Sequence, residues 1–232
     1  MYKAAQKYYK EKEYERALGL YDLVIQYYRG RQEAEELFFN YAYCHYYSND
    51  YILASTYFKN YASTFGNSPN REEAEYMAAY SNYKLSPNHR LDQTYTLKAM
   101  EGFEQFINLY PYTERAEEAT KLLDLMRSKL ELKAYEEGML YYKIGQFQSA
   151  NTSFQNFINE FPETQKMEEV RFLMIKSSIL LAEKSVIDKQ KERYEEANKY
   201  VEVFEKKHPK SKRKGELKTY KKVISEALKK LS

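Results

Sequence analysis

GMLYYKIGQFQSANTSFQNFINEFP, residues 138–162, is the stretch whose reading decides the fold. At helical spacing Ala134, Gly138 and Tyr141 share one face of a first helix. Gly145 ends that helix, because glycine accepts the left-handed conformation that a tight reversal needs. Phe147, Ala150, Phe154 and Phe157 then line one face of a second helix, which Pro162 stops. The small residues Gly138 and Ala150 stand where two helix axes must approach, and aromatic rings fill the space around them. A single hairpin of this kind cannot bury its own apolar face, so the reading predicts copies on either side.

The copies are found through the alanine of the second helix: Ala17, Ala54, Ala99, Ala150 and Ala197. Four residues on stand Tyr21, Phe58, Phe103, Phe154 and Val201, and seven on stand Val24, Tyr61, Phe106, Phe157 and Phe204. Twelve on come Arg29, Gly66, Pro111, Pro162 and Pro209, then Arg31, Ser68, Thr113, Thr164 and Ser211, four of them residues that suit a helix N-cap. The acid pairs Glu35–Glu36, Glu72–Glu73, Glu117–Glu118 and Glu168–Glu169 follow, and read as solvated first-turn residues favoured by the helix dipole. A small residue, an aromatic, A-x3-F and a terminal Pro form the tetratricopeptide pattern. The expected fold is all-α: a right-handed tetratricopeptide-repeat solenoid of about five helical hairpins with a C-terminal capping helix.

The spacing is not uniform. Repeat one covers 1–30 and repeat two 31–66, and repeat three carries an insert, SPNHRLDQTYT, between its helices. From Glu114 to Lys143 only Gly138 interrupts a stripe of Ala116, Ala119, Leu123, Met126, Leu130, Ala134 and Tyr141, which predicts one helix of about 30 residues. Repeat five spans 167–209 with a polar insert near 185–191, and 215–231 forms the cap. Two regions follow: 1–111 with repeats one to three and a peptide groove, and 112–232 with the connecting helix, repeats four and five and a partner-docking surface.

Composition narrows the function. Seven Gly and five Pro leave little room for the turns of an all-β chain, while 26 Tyr with no Trp is unusual. Cys44 stands alone, so no internal disulfide forms and compartment cannot be read from it. Residues 1–188 hold 22 basic and 27 acidic side chains, against 15 and 7 in residues 189–232. No run approaches the length of a membrane span. Helix-like sequence follows Met1 at once, without a leader or an early Cys, so either the protein is not exported or its leader lies outside these residues.

The order of the pieces resembles the BamD family of outer-membrane assembly lipoproteins, tetratricopeptide subunits of the β-barrel assembly machinery. The resemblance rests on YRGRQEAEELFFNYAYCHYYSNDY (28–51), LDQTYTLKAMEGFEQFINLYPYTERAEEA (91–119) and ILLAEKSVIDKQKERYEEA (179–197). It implies a non-enzymatic scaffold at the periplasmic face of the outer membrane, lipid-anchored through a Cys ahead of repeat one. Its partners would be the barrel-inserting subunit and unfolded β-barrel precursors, with no nucleic acid. The alternative is another tetratricopeptide adaptor, such as a periplasmic coordinator of envelope constriction or a cytosolic adaptor.

Chemistry-bearing motifs are absent from the sequence. His45, His89 and His208 are far apart, Cys44 and His45 point about 100° apart on a helix, and GxGxxG, GK[ST] and HExxH do not occur. No catalytic, cofactor or metal residue is expected. In tetratricopeptide proteins, four positions of each first helix line a groove for extended peptides. Here they include Tyr2 and Tyr9 in repeat one, Phe39, Tyr43, Tyr46 and Tyr47 in repeat two, and Tyr76, Tyr80 and Tyr83 in repeat three. Only Asn40 fits the polar clamp of chaperone-tail adaptors; Tyr2, Gln6, Glu73 and Met77 do not. In and just before the last helix Lys212, Arg213, Lys214, Lys218, Lys221 and Lys222 form a basic field that would steer an acidic partner or an anionic membrane, while Leu217, Val223 and Ile224 point inward.

Overall fold

The computed structural model describes residues 1–231, and among them all regular structure is α-helical. Eleven helices follow one another: α1 (Tyr2–Lys10), α2 (Tyr14–Tyr28), α3 (Ala34–Tyr47), α4 (Tyr51–Thr64), α5 (Arg71–Leu85), α6 (Thr94–Leu109), α7 (Glu114–Lys143), α8 (Phe147–Glu160), α9 (Met167–Glu183), α10 (Ile187–Lys207) and α11 (Lys214–Lys230). They pair as hairpins of the tetratricopeptide type, with α11 as the cap. The chain forms two compact units that divide within α7, residues 1–130 and residues from 131 on.

The repeat register seen in the sequence is the register of burial. Ala17, Ala54, Ala99, Ala150 and Ala197 are fully buried, and the aromatic or aliphatic residues four and seven positions after each are buried with them. In the first unit these side chains form the layers around Tyr21 and Phe58–Phe103. In the second, Phe154 and Phe157 pack with Val170 and Met174 beneath the half-buried Tyr135 and Met139 of α7. Gly138 is required at its place: a Cβ built on it would lie 2.5 Å from Cδ1 of Phe154. Gly145 adopts φ +78°, the left-handed turn that ends α7 and lets α8 fold back. Leu217 and Ile224 of α11 are buried against α9 and α10, which closes the second unit.

Two local expectations change. Among the repeat-start hydroxyls only Thr113 directly precedes its helix, accepting from Ala116 N–H. Ser68, Thr164 and Ser211 instead stand three residues ahead and accept from the N–H of Asn70, Lys166 and Arg213, bracing a separate turn. Most of the polar insert of repeat five, residues 187–191, is helical and lengthens α10, which begins at Ile187. The segment IDKQKER consists mostly of good helix formers and places Asp188 in the favourable first turn. The insert of repeat three is a loop held from within by Gln93, which donates to the carbonyls of Asn88 and Leu91 and accepts from buried Thr96.

The acid pairs do more than sit in solvent. Tyr2 donates to Glu36 and Tyr135 to Glu169, 34 residues apart in each case, so the first helix of one repeat reaches the first helix of the next. From the other side, Ser68 donates to Glu35, and Ser211 to Glu168. Glu131 receives Thr164 and the Lys166 ammonium, both at 2.8 Å. Burial opposes that ionisation, yet these donors hold the Glu131 carboxyl below its usual range. Carboxylates of the first helices therefore tie neighbouring repeats together within each unit.

Candidate peptide-binding face

The first helices α1, α3 and α5 bring most of the tyrosine-rich positions into one chain of touching rings. Tyr9 meets Tyr14 edge-on, and Tyr14 stacks on Tyr47 with centroids 4.4 Å apart. Tyr47 stacks on Tyr43, which also packs edge-on against Phe39 and Tyr46. Tyr46 reaches Tyr80 across the repeat boundary at 6.3 Å, and Tyr80 contacts both Tyr76 and Tyr83. Tyr2 stands apart from this chain, against Tyr21 and Tyr28. Tyr76 is buried, Tyr47 is 47% exposed, and the remaining seven positions are half-buried. Rings in this setting offer wide apolar contact with few rotamers to freeze.

An ion cluster fixes the edge of this face. Arg115, at the start of α7, grips Glu73 with Nη2 at 2.9 Å and Nε at 3.1 Å, and gives Nη1 to Glu118 at 2.9 Å. Its guanidinium lies 4.3 Å from the centroid of the Tyr76 ring. Tyr43 donates to the same Glu73 oxygen at 2.8 Å. Burial works against the charge on Arg115, but the Glu118 and Glu73 carboxylates raise its pKa further. Burial first, then the Glu73 carboxylate, pushes the Tyr43 hydroxyl far up. Burial together with Tyr80 and Tyr51 pushes Tyr46 up to about 12. These two hydroxyls, of Tyr43 and Tyr46, are therefore neutral at physiological pH. The face is thus mainly aromatic and hydroxyl-bearing, with charge at the compensated Arg115 cluster and at Lys84, whose ammonium lies 5.8 Å from the centroid of the Tyr51 ring.

Sequence reading missed Arg115, Tyr14 and Tyr51, which belong to this neighbourhood through ring or ion contacts. A signal was present for Arg115, in the TER triplet that opens the connecting helix just before an acid pair. Cys44 and His45 lie in the core beside the face. Burial pushes the Cys44 thiol up to about 12, which keeps it protonated and unreactive. His45 is stacked on Tyr57, edge-on to Tyr41, with Nδ1 3.2 Å from Asp50. Among the described residues no group of three or more His, Cys, Asp or Glu is placed to hold a metal.

The six basic residues of the C-terminal region divide into two groups. Arg213 lies over the Phe172 ring at 4.6 Å, Lys221 pairs with Glu205 at 2.9 Å, and Lys222 lies 3.8 Å from Glu226. Lys212, Lys214 and Lys218 are exposed and have no ion partner among the described residues. They cluster at the junction of α10 and α11, where a shallow notch is lined by Phe204, His208, Leu217, Lys214 and Lys218. No described helix is long and apolar enough to cross a membrane.

Comparison with known proteins places the chain in a family. Three curated relatives carry the name outer membrane protein assembly factor BamD, the third as a putative one. The protein of Caulobacter vibrioides is 25% identical over 139 residues, 60% of this chain and 46% of its own. That of Rickettsia prowazekii is 27% identical, over 60% and 51% respectively, and that of Aquifex aeolicus 24% identical, over 79% and 63%. The chain thus spans about half the length of the first two curated relatives it matches. The family profile described as outer membrane lipoprotein, YfiO, matches residues 1–193. A tandem of tetratricopeptide hairpins is a protein-interaction module, and this chain belongs to the YfiO family of outer membrane lipoproteins.

Proposed function

We propose that the protein is a non-enzymatic scaffold of the β-barrel assembly machinery, lipid-anchored at the periplasmic face of the outer membrane. Its first unit would hold unfolded β-barrel precursor segments, and its second unit would dock the barrel-inserting subunit. The continuous run of rings from Tyr9 to Tyr83 carries this reading. An extended precursor strand alternates its side chains, so every second residue can lay an aromatic or aliphatic group against these rings. The neutral hydroxyls can meet its unpaired backbone groups, which an unfolded segment offers in number.

Site-specific cross-linking tests where the segment lies. A benzophenone side chain placed at Tyr47 or Tyr83 of the full chain is expected to capture an unfolded barrel precursor on irradiation. The same group at Tyr27, which is 65% exposed on α2 and outside the ring chain, is expected to capture little. Equal capture from all three positions would remove the face from the account.

The docking half of the reading rests on Lys212, Lys214 and Lys218, whose unpaired charge suits an acidic surface on the partner. Changing all three to Glu is expected to weaken partner binding roughly tenfold or more at low salt. The difference should shrink as salt shortens the screening length toward about 3 Å near 1 M. Unchanged binding at low salt would leave α11 as a cap alone.

A further inference from the structure

The turns that join the two helices of a hairpin follow one design in three repeats. Between α1 and α2 the connecting residues are Glu11, Lys12 and Glu13; between α3 and α4 they are Ser48, Asn49 and Asp50; between α7 and α8 they are Ile144, Gly145 and Gln146. The middle residue is left-handed each time, with φ 62° at Lys12, 62° at Asn49 and 78° at Gly145. Backbone requirements are therefore the same, and the first position tolerates Glu and Ser. In the second unit that position is Ile144, 59% exposed, with Leu140 56% exposed one turn earlier.

The next hairpin turn of this unit has the same character. Val186 caps α10 and Ile187 opens it, at 68% and 74% exposure. The two turns are neighbours: a Cβ built on Gly145 would lie 3.9 Å from Lys184 Nζ, which itself sits 5.0 Å from the centroid of the Phe147 ring. Four large aliphatic side chains thus project from one edge of the second unit without support from the fold. Within four residues of them in sequence stand Lys143, Lys184, Lys189 and Lys191, with Glu136 and Glu137 below Leu140 and Glu183 and Asp188 beside the second turn.

This composition selects the occupant. Protein interfaces concentrate aromatic residues, Met and Arg at their centres and are poor in Lys, and a protruding tip would need a matching cavity on the partner. A bilayer surface needs neither. Its acyl boundary accepts aliphatic side chains of any shape, and lysines reach back to anionic headgroups with their stems along the apolar zone. We propose that the Ile144 and Val186–Ile187 turns are a lipid-contact edge, which rests in the headgroup–acyl boundary of an anionic bilayer. Such an edge would orient the second unit at the membrane, which a lipid tether by itself does not do. The inference rests on these turns and needs neither the ring face nor the α11 lysines.

The chain contains no tryptophan, so one introduced at this edge is a sole reporter. In the full chain, Ile187→Trp should shift its emission to the blue on adding vesicles of phosphatidylethanolamine with a minority of phosphatidylglycerol. Brominated acyl chains should quench it. The Ile144→Ser/Val186→Ser/Ile187→Ser variant should co-sediment with these vesicles roughly tenfold less or weaker still, since each aliphatic group would lose favourable transfer from water. These residues are exposed, so melting should stay unchanged. Unshifted Trp emission, or equal sedimentation of the triple variant, would overturn the proposal. So would loss of self-association in the triple variant with vesicle binding intact, which would assign the edge to a second copy of the chain.

Discussion

Replacing Phe154 with alanine is expected to lower the unfolding free energy by about 3–5 kcal/mol, and the loss should depend on residue 138. Phe154 is fully buried, and its ring fills the space that the missing side chain of Gly138 leaves open. In the wild-type background Gly138→Ala forces a methyl to within 2.5 Å of that ring. The overpacking costs about 1–3 kcal/mol, partly offset by the better helix propensity of alanine, about 1 kcal/mol. With Phe154 already truncated, the methyl enters vacated space and only the propensity gain remains. The two changes should therefore couple, with the double variant more stable than the sum of the single effects predicts. Urea unfolding of the four proteins, followed by helix signal, measures the cycle. Additive effects would mean that α7 and α8 do not meet through this pair.

The fold was legible because its determinants are local and repeated. Five alanines and the residues four and seven positions beyond them are where helices must touch, so the same residue classes recur and reveal the period. The 30-residue helix α7 was legible for a related reason: nothing in Glu114–Lys143 both breaks a helix and adopts a left-handed turn. Gly138, the one candidate breaker, serves instead as the contact that admits Phe154.

What could not be read were interactions between side chains distant in sequence. Glu73 looks like any first-turn acid until Arg115, 42 residues later, is seen to grip it beside Tyr43. The basic field of the last helix shrank for the same reason, since Arg213 and Lys221 find Phe172 and Glu205 on other helices. The form of the polar insert in repeat five was not legible, because a polar stretch with high helix propensity looks the same whether it loops out or lengthens α10. The ring face falls between these cases. Its residues follow from the repeat register, whereas their contact across repeats, Tyr46 with Tyr80, depends on how α3 and α5 stack.

Binding of an unfolded β-barrel precursor segment to the full chain, compared with Tyr43→Ala/Tyr80→Ala and Tyr43→Phe/Tyr80→Phe, tests the central claim most directly. Tyr43 and Tyr80 sit at the middle of the ring chain, each touching at least two of its other members. Aromatic anchors of this kind, once covered by a bound segment, commonly contribute about 2 kcal/mol or more to an interface. Loss of both rings should raise the dissociation constant roughly tenfold to a hundredfold, on that scale and with allowance for non-additivity. The phenylalanine pair keeps the rings and removes only two hydroxyls, so it should bind within a few-fold of wild type and retain the core. Measured by anisotropy of a labelled segment well below the melting temperature, the account predicts strong loss for the alanine pair and near-normal binding for the phenylalanine pair. Equal dissociation constants for wild type and the alanine pair, with helix content unchanged, would contradict it.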